Sequence, residues 1–453
     1  MDIGKLEKLT LELEKKVEYV DVSATQISTN SIVMKDGNIQ EIKSGIESGI
    51  RVRVIKNGMW KIGFFRGTDD IDYMYKRMVK VVGSGSVALA KCDPIVGNFK
   101  SPMKINPSDV PIDEKKEMVV EVEKAANIKK VVSTAVNYVD VNVKNVFLSS
   151  EGANASKNES KVALFINAVA SDGKTLQFSS DRIGNVGGFE IIKQADLEKL
   201  GRKVGKNAVE LLSAESPPSG RFTIVTDCEL TGVFIHEAVG HASEADIVLK
   251  NDSILKNKIG KKIGSELVTI IDDPTTNGFG YYVYDSEGVK ASPTTIMKNG
   301  ILKSFINSRE TAYQLNMNPT GNARAAFGHE PLVRMSNTYL KPRDQSFDEL
   351  IEDVKEGVYL KGSRGGQVDT TRGTFQFNAE RSFKIENGRI TTPLRDVSMS
   401  GNILEVLKNV DAVGSDFKIN AGFCGKYGQT VAVGDGGPHI RIKNVLIGGK
   451  NVI

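Results

Sequence analysis

The sequence predicts an α+β protein. An N-terminal α/β region of helices and antiparallel hairpins precedes a C-terminal domain built on a curved, mostly antiparallel sheet with a helix carrying a candidate metal site. Up to the break "ESPPSG" (215–220), segments of helical period alternate with β-branched segments punctuated by Asp-Gly and Asn-Gly. Beyond it the chain is glycine-rich, with many short strands. The first helix after the break contains "HEAVGH", residues 236–241.

The length of 453 residues exceeds one ordinary core, so two or three domains are expected. The break divides the chain into 1–218 and a catalytic 219–453. A hydrophobic share of 40%, a charged share of 26% and a net charge of +4 describe a globular protein with no nucleic-acid or membrane footprint. The N-terminus carries charges through its first two dozen residues, against a secretory signal, and no stretch is long and apolar enough for a membrane helix. Three cysteines, Cys92, Cys228 and Cys424, have no paired spacing. Free thiols and a cytoplasmic location are therefore expected.

Leu6, Leu9, Leu11 and Leu13 among Lys and Glu predict a helix over 4–17. "YVDVSATQ", "NSIVMKDGNIQEIKSG" and "GIRVRVIKNGMWKIGFF" read as hairpins, and "DDIDYMYKRMVKVVG" as an amphipathic helix. From about residue 112 the order recurs: a helix through "DEKKEMVVEVEKAANIKKVV", the strand "YVDVNVKNVFLSS", further strands, and the helix "QADLEKLGRKVGKNAVELLSA". Tyr-Val-Asp-Val occurs at both 19–22 and 138–141, suggesting two related halves, about 1–105 and 106–218. After the break, "RFTIVTD" is an apolar strand. "ELVTIIDDP", "PTTIMKNGILKSFINS", "RSFKIENGRITTPL" and "PHIRIKNVLIGG" supply more strands.

Two of only four histidines fall within "HEAVGH". Histidines four apart lie about 40° apart around a helix and share an ion; five apart they lie about 140° apart. The extra residue must be absorbed by a π-type bulge or a bend, and Gly240 is the residue type that most easily accepts the change. Glu237 faces roughly a quarter-turn away, where a carboxylate reaches a water on the ion and can carry its proton to a leaving amine. The same pattern also fits a solvated face or a hydrogen-bonded core pair. A catalytic zinc needs a third protein ligand, for which Glu244, Asp246, His329, Cys424 and His439 are candidates. Glu244 and Asp246 could equally support the histidine rings, and Cys424 could be a small buried residue.

The blocks "HEAVGHASEAD", "GSELVTIIDDPT", "NGILKSFINSRETAYQLNMNPTGNARAA", "RMSNTY", "GGQVDTTRGTFQF", "IENGRITTPL" and "CGKYGQTVAVGDGGP" occur in one order across 219–450. In this the sequence resembles the TldD/PmbA family of metalloproteases, specifically its HExxxH-bearing TldD branch. The resemblance implies one Zn2+ held by His236, His241 and Cys424, with Glu237 as general base. It also implies degradation or processing of short or unfolded peptides, and a site enclosed in a homodimer or a heterodimer with a PmbA-like paralogue.

His329 is a candidate for touching substrate or the tetrahedral intermediate, and Arg324 and Arg334 for binding substrate carbonyls or a terminal carboxylate. Gly366 and Gln367 in "GGQVD" offer a strand edge for an extended peptide. His439, after a Gly-Gly-Pro turn, reads as structural. The alternative from another class is a non-catalytic peptide-binding or scaffolding subunit whose metal is structural or absent.

Overall fold

The computed structural model describes residues 2–449, so residues 450–453 of the expected second domain lie outside the described residues. Asp2 caps the first helix, Ile3–Glu14, which buries Leu6, Leu9 and Leu13. The strands Tyr19–Lys35 and Asn38–Lys56 then join at Asp36-Gly37, where both residues have positive φ, 50° and 78°. Such primed turns match the twist of a hairpin. The sequence suggests a break between Gln26 and Asn30, yet the strand runs through. Gln26 pairs with Ser48 on one side and Lys144 on the other, and hydrogen bonding along both edges outweighs the polar side chains. The helix Ile112–Ala126 stops six residues short of the sequence expectation, because Lys130 turns the chain at φ 74° and Val131 opens the next strand.

Tyr19–Lys35 and Val131–Ser149 form the antiparallel centre of one seven-stranded sheet. Asn38–Lys56 and Met59–Phe65 extend it on one side, and Asn154–Ser171 with Leu176–Val186 on the other. The two Tyr-Val-Asp-Val segments sit on the central pair, one at its strand's first residue and one mid-strand. Helices Ile112–Ala126 and Leu197–Glu210 pack closely, since a Cβ on Gly201 or Gly205 would strike the Val122 or Ala126 carbonyl.

After residue 219 the strands Gly220–Thr226, Ile440–Gly448, Ser398–Asn402, Thr374–Glu386 and Glu356–Asp369 pair in succession, and the last returns to the first. All these pairs are antiparallel except Gly220–Thr226 with Glu356–Asp369. A second sheet of six strands ends in the hairpin Lys418–Lys426 and Gln429–Gly437. Helix Cys228–Ile235 is held between the two sheets: Phe234 lies 5.2 Å from Phe375, and a Cβ on Gly232 would come within 2.5 Å of the Gly436 nitrogen. No helix among the described residues is long and apolar enough to cross a membrane.

A buried ion cluster ties the first sheet to the C-terminal part. Arg53 lies 2.6 Å from Asp21 and 3.1 Å from Glu287, all three side chains at most 5% exposed. Removing the cation would strand two buried carboxylates, a loss usually costing about 3–5 kcal/mol. Arg53→Ala should lower unfolding stability by about that amount in urea titration; a change under about 1 kcal/mol would show that the cluster does not hold the parts together.

Candidate metal centre

The five-residue histidine spacing is absorbed by one π-helical turn, His236–Gly240, directly after the α-helix. The His241 N–H donates to the His236 carbonyl, five residues back. Gly240 serves this turn differently from the sequence reading. Its φ of −55° and ψ of −61° are ordinary helical values, so no unusual backbone freedom is used. What it supplies is space, because any Cβ there would collide with the Met335 sulfur.

Opposite the turn, Cys424 projects from Lys418–Lys426. His236, His241 and Cys424 each offer one ligand atom, all within 4.8 Å of one another. His241 Nε2 lies 3.4 Å from the Cys424 sulfur and 3.7 Å from Glu237 Oε2, so the glutamate carboxylate borders the same space. Glu237 is about one-third exposed, whereas His236 and Cys424 are buried. Burial pushes the Cys424 thiol up, but hydrogen bonding and charge from both histidines prevail and bring it down to about 5. For His241, burial opposes the charged ring, while Glu244 and Cys424 raise its pKa well above the ordinary value.

The surroundings orient these groups. Glu244, fully buried, lies 3.2 Å from His241 Nδ1, which leaves Nε2 facing the cysteine. Asp246 does not touch a histidine; it pairs with Lys426, which donates also to Glu244 and the Val333 carbonyl. Arg334 is fully buried and donates to the carbonyls of Cys424 and Gln429, so it sits behind the cysteine and faces no open space.

The other candidates lie apart. Phe423 points away from Cys424, against Phe165 at 5.9 Å and Phe279 at 5.3 Å. On that face of the hairpin a cavity of about 930 Å³ opens toward the first sheet, lined by Arg324 and His329 among others. His236, His241 and Cys424 do not line this cavity. Arg324 donates to the Met335 and Ala432 carbonyls; His329 is exposed at the cavity wall. Gly366 and Gln367 are exposed on Glu356–Asp369, a strand that also packs against the π turn. His439 belongs to a different cluster, with Cys228 and Asp416.

Lys426, Met335 and Asp435 were not among the sequence candidates, and Arg334 was among them only as a substrate contact. Lys426 carried a signal, since two residues after Cys424 it must share that face of the strand. Asp435 is buried on the same face of the neighbouring strand, with Oδ2 lacking a hydrogen-bond partner, and nothing in its local sequence marks it.

The donor set fits a zinc-class ion. One thiolate and two imidazoles are the soft and borderline ligands such an ion selects, and His236 Nδ1 is buried without a hydrogen-bond partner.

Three family models match consecutive stretches: PmbA/TldA metallopeptidase domain 1 over residues 20–82, the central domain over 105–212 and the C-terminal domain over 219–449. A protein named metalloprotease from Methanothermobacter thermautotrophicus is 55% identical over 451 residues, covering 99% of both chains. One named zinc metalloprotease TldD homolog, from Saccharolobus solfataricus, is 32% identical over 96% of this chain and 98% of its own. The crystal structure of TldE from Thermococcus kodakarensis shares the fold, with a TM-score of 0.79 at 17% identity over 98% of this chain and 100% of that one.

Glu244→Gln should weaken metal retention about 10–100-fold in a chelator competition, because the carboxylate that sets the His241 ring is lost. Equal retention by variant and parent would mean that His241 needs no such support.

Proposed function

This chain belongs to the PmbA/TldD family of metallopeptidases, and from that premise we propose that it is a cytoplasmic zinc-dependent peptidase acting on short or unfolded polypeptides. The observation that carries the reading is the convergence of His236, His241 and Cys424, with the Glu237 carboxylate 3.7 Å from His241 Nε2. His236, His241 and Cys424 would hold the ion, which when bound supplies Lewis-acid activation of water and of the peptide carbonyl.

Glu237 is the proton carrier. Its carboxylate accepts a proton from the attacking water and delivers it to the leaving nitrogen, so that carbon–oxygen bond formation and carbon–nitrogen cleavage balance. Glu244 holds His241 by Nδ1, and Arg334 holds the Cys424 backbone. Both keep the ligands in place between turnovers.

Gly366 and Gln367 pair with Phe377 and Gln376 on one edge of their strand. On the other edge Gly220–Thr226 ends opposite Leu360, and among the described residues no strand pairs beyond that point. An extended substrate adding to this edge would be recognised through its backbone, which suits varied side chains. The active assembly is proposed to be a homodimer or a heterodimer with a PmbA-like chain. Arg324 and His329, on the wall of the 930 Å³ cavity, are proposed to meet more distant parts of the substrate.

Glu237→Ala should retain zinc while losing about 10²–10⁴-fold in kcat/KM on an unfolded polypeptide. Chelation should abolish activity in the parent, and zinc should restore it. Cleavage by the variant at the parental rate would sink the mechanism.

A further inference from the structure

A second group of ligand-type side chains lies at the other end of the same helix. Cys228 is the first residue of Cys228–Ile235, and His236 follows the last. Eight residues of α-helix place the two groups about 12 Å apart. Asp416 precedes the strand Lys418–Lys426 and His439 follows Gln429–Gly437, so both come from the open end of the hairpin whose turn end carries Cys424.

The Cys228 thiol donates to Asp416 Oδ2 at 2.9 Å, and His439 Nδ1 lies 2.6 Å from that oxygen and 3.7 Å from the sulfur. The Tyr359 hydroxyl is 3.0 Å from His439 Nε2. This is not a nucleophile relay: there the cysteine and the acid would use opposite ring nitrogens, whereas here both address Nδ1. Convergence of sulfur, oxygen and one imidazole nitrogen, with the far nitrogen held by a hydroxyl, is how a metal site is arranged.

Tetrahedral zinc bond lengths give a sulfur–nitrogen edge of about 3.6 Å and a nitrogen–oxygen edge of about 3.4 Å. The Cys228–His439 edge already has that length. The carboxylate sits roughly 0.7–0.8 Å inside its place, and with Asp416 45% exposed it has room to withdraw.

We propose that Cys228, Asp416 and His439 form a second metal site, for a zinc-class divalent cation that fastens the start of the metal-centre helix to the open end of the hairpin. Cys228 and His439 also line an adjoining pocket of about 230 Å³. The ion's role is structural: it holds the register between the helix and the strand on which the distance from His236 to Cys424 depends.

Full-length Cys424→Ala protein, which lacks the other metal-centre thiol, is titrated with Co2+ and thiolate-to-cobalt charge-transfer absorption is read. About one cobalt–thiolate equivalent should persist, vanish when Cys228→Ala is added, and weaken at least tenfold with Asp416→Asn. The asparagine variant keeps the size and the carbonyl acceptor of a half-exposed side chain, so it decides the matter if the double cysteine variant misfolds. Absence of the absorption in Cys424→Ala, its survival without Cys228, or an unchanged cobalt affinity in Asp416→Asn would each overturn the second site.

Discussion

The seating of one helix on one hairpin is the constraint on which the rest of the molecule depends. The helix Cys228–Ile235 lies against Gln429–Gly437, and its π turn against Met335, so closely that an added Cβ would clash at Gly232 and at Gly240. One meets strand backbone and the other the Met335 sulfur. Interiors packed to this density do not yield continuously to added volume. A shift of one residue along either element would part His236 and His241 from Cys424, and the two sheets exist around this contact to hold it still.

Electrostatics continue what packing begins. A buried thiolate between two histidines is tolerable only because the surrounding groups are themselves matched. Glu244 holds His241, Lys426 holds Glu244 and Asp246, and Arg334 closes the backbone behind Cys424. Glu244, Asp246, Lys426 and Arg334 each have a partner within hydrogen-bond reach, the condition under which charge survives in a protein interior. Glu237 is the exception in kind: it is partly exposed and takes no hydrogen bond from these groups, which leaves its carboxylate unengaged.

Much of this was legible in the sequence, for reasons that differ by element. Asn-Gly and Asp-Gly turns at 36–37, 57–58, 299–300 and 387–388 marked hairpins because only residues tolerating positive φ fit those positions. The histidine spacing called for a π-type bulge or for the helix to bend or end there, and of these the structure has the π turn. The α+β class followed from the change of period along the chain. What remained hidden is non-local. The return of Glu356–Asp369 to Gly220–Thr226 closes a ring between strands more than a hundred residues apart, and no periodicity encodes that. The role of Gly240 was read as backbone freedom, since Met335, its actual reason, lies nearly a hundred residues on. Lys426 was within reach by strand alternation, whereas Asp435 and the Cys228, Asp416 and His439 group become visible only once the hairpin is folded.

The central claim is that two imidazoles and a distant thiolate converge on one ion beside Glu237. Anomalous diffraction from crystals of the purified protein, recorded on both sides of the zinc absorption edge, tests it most directly. A zinc peak bonded to His236, His241 and the Cys424 sulfur, with the Glu237 carboxylate outside direct coordination, is the expected result. Zinc held by the two histidines with Cys424 turned away, or no peak between them in zinc-replete protein, would contradict it.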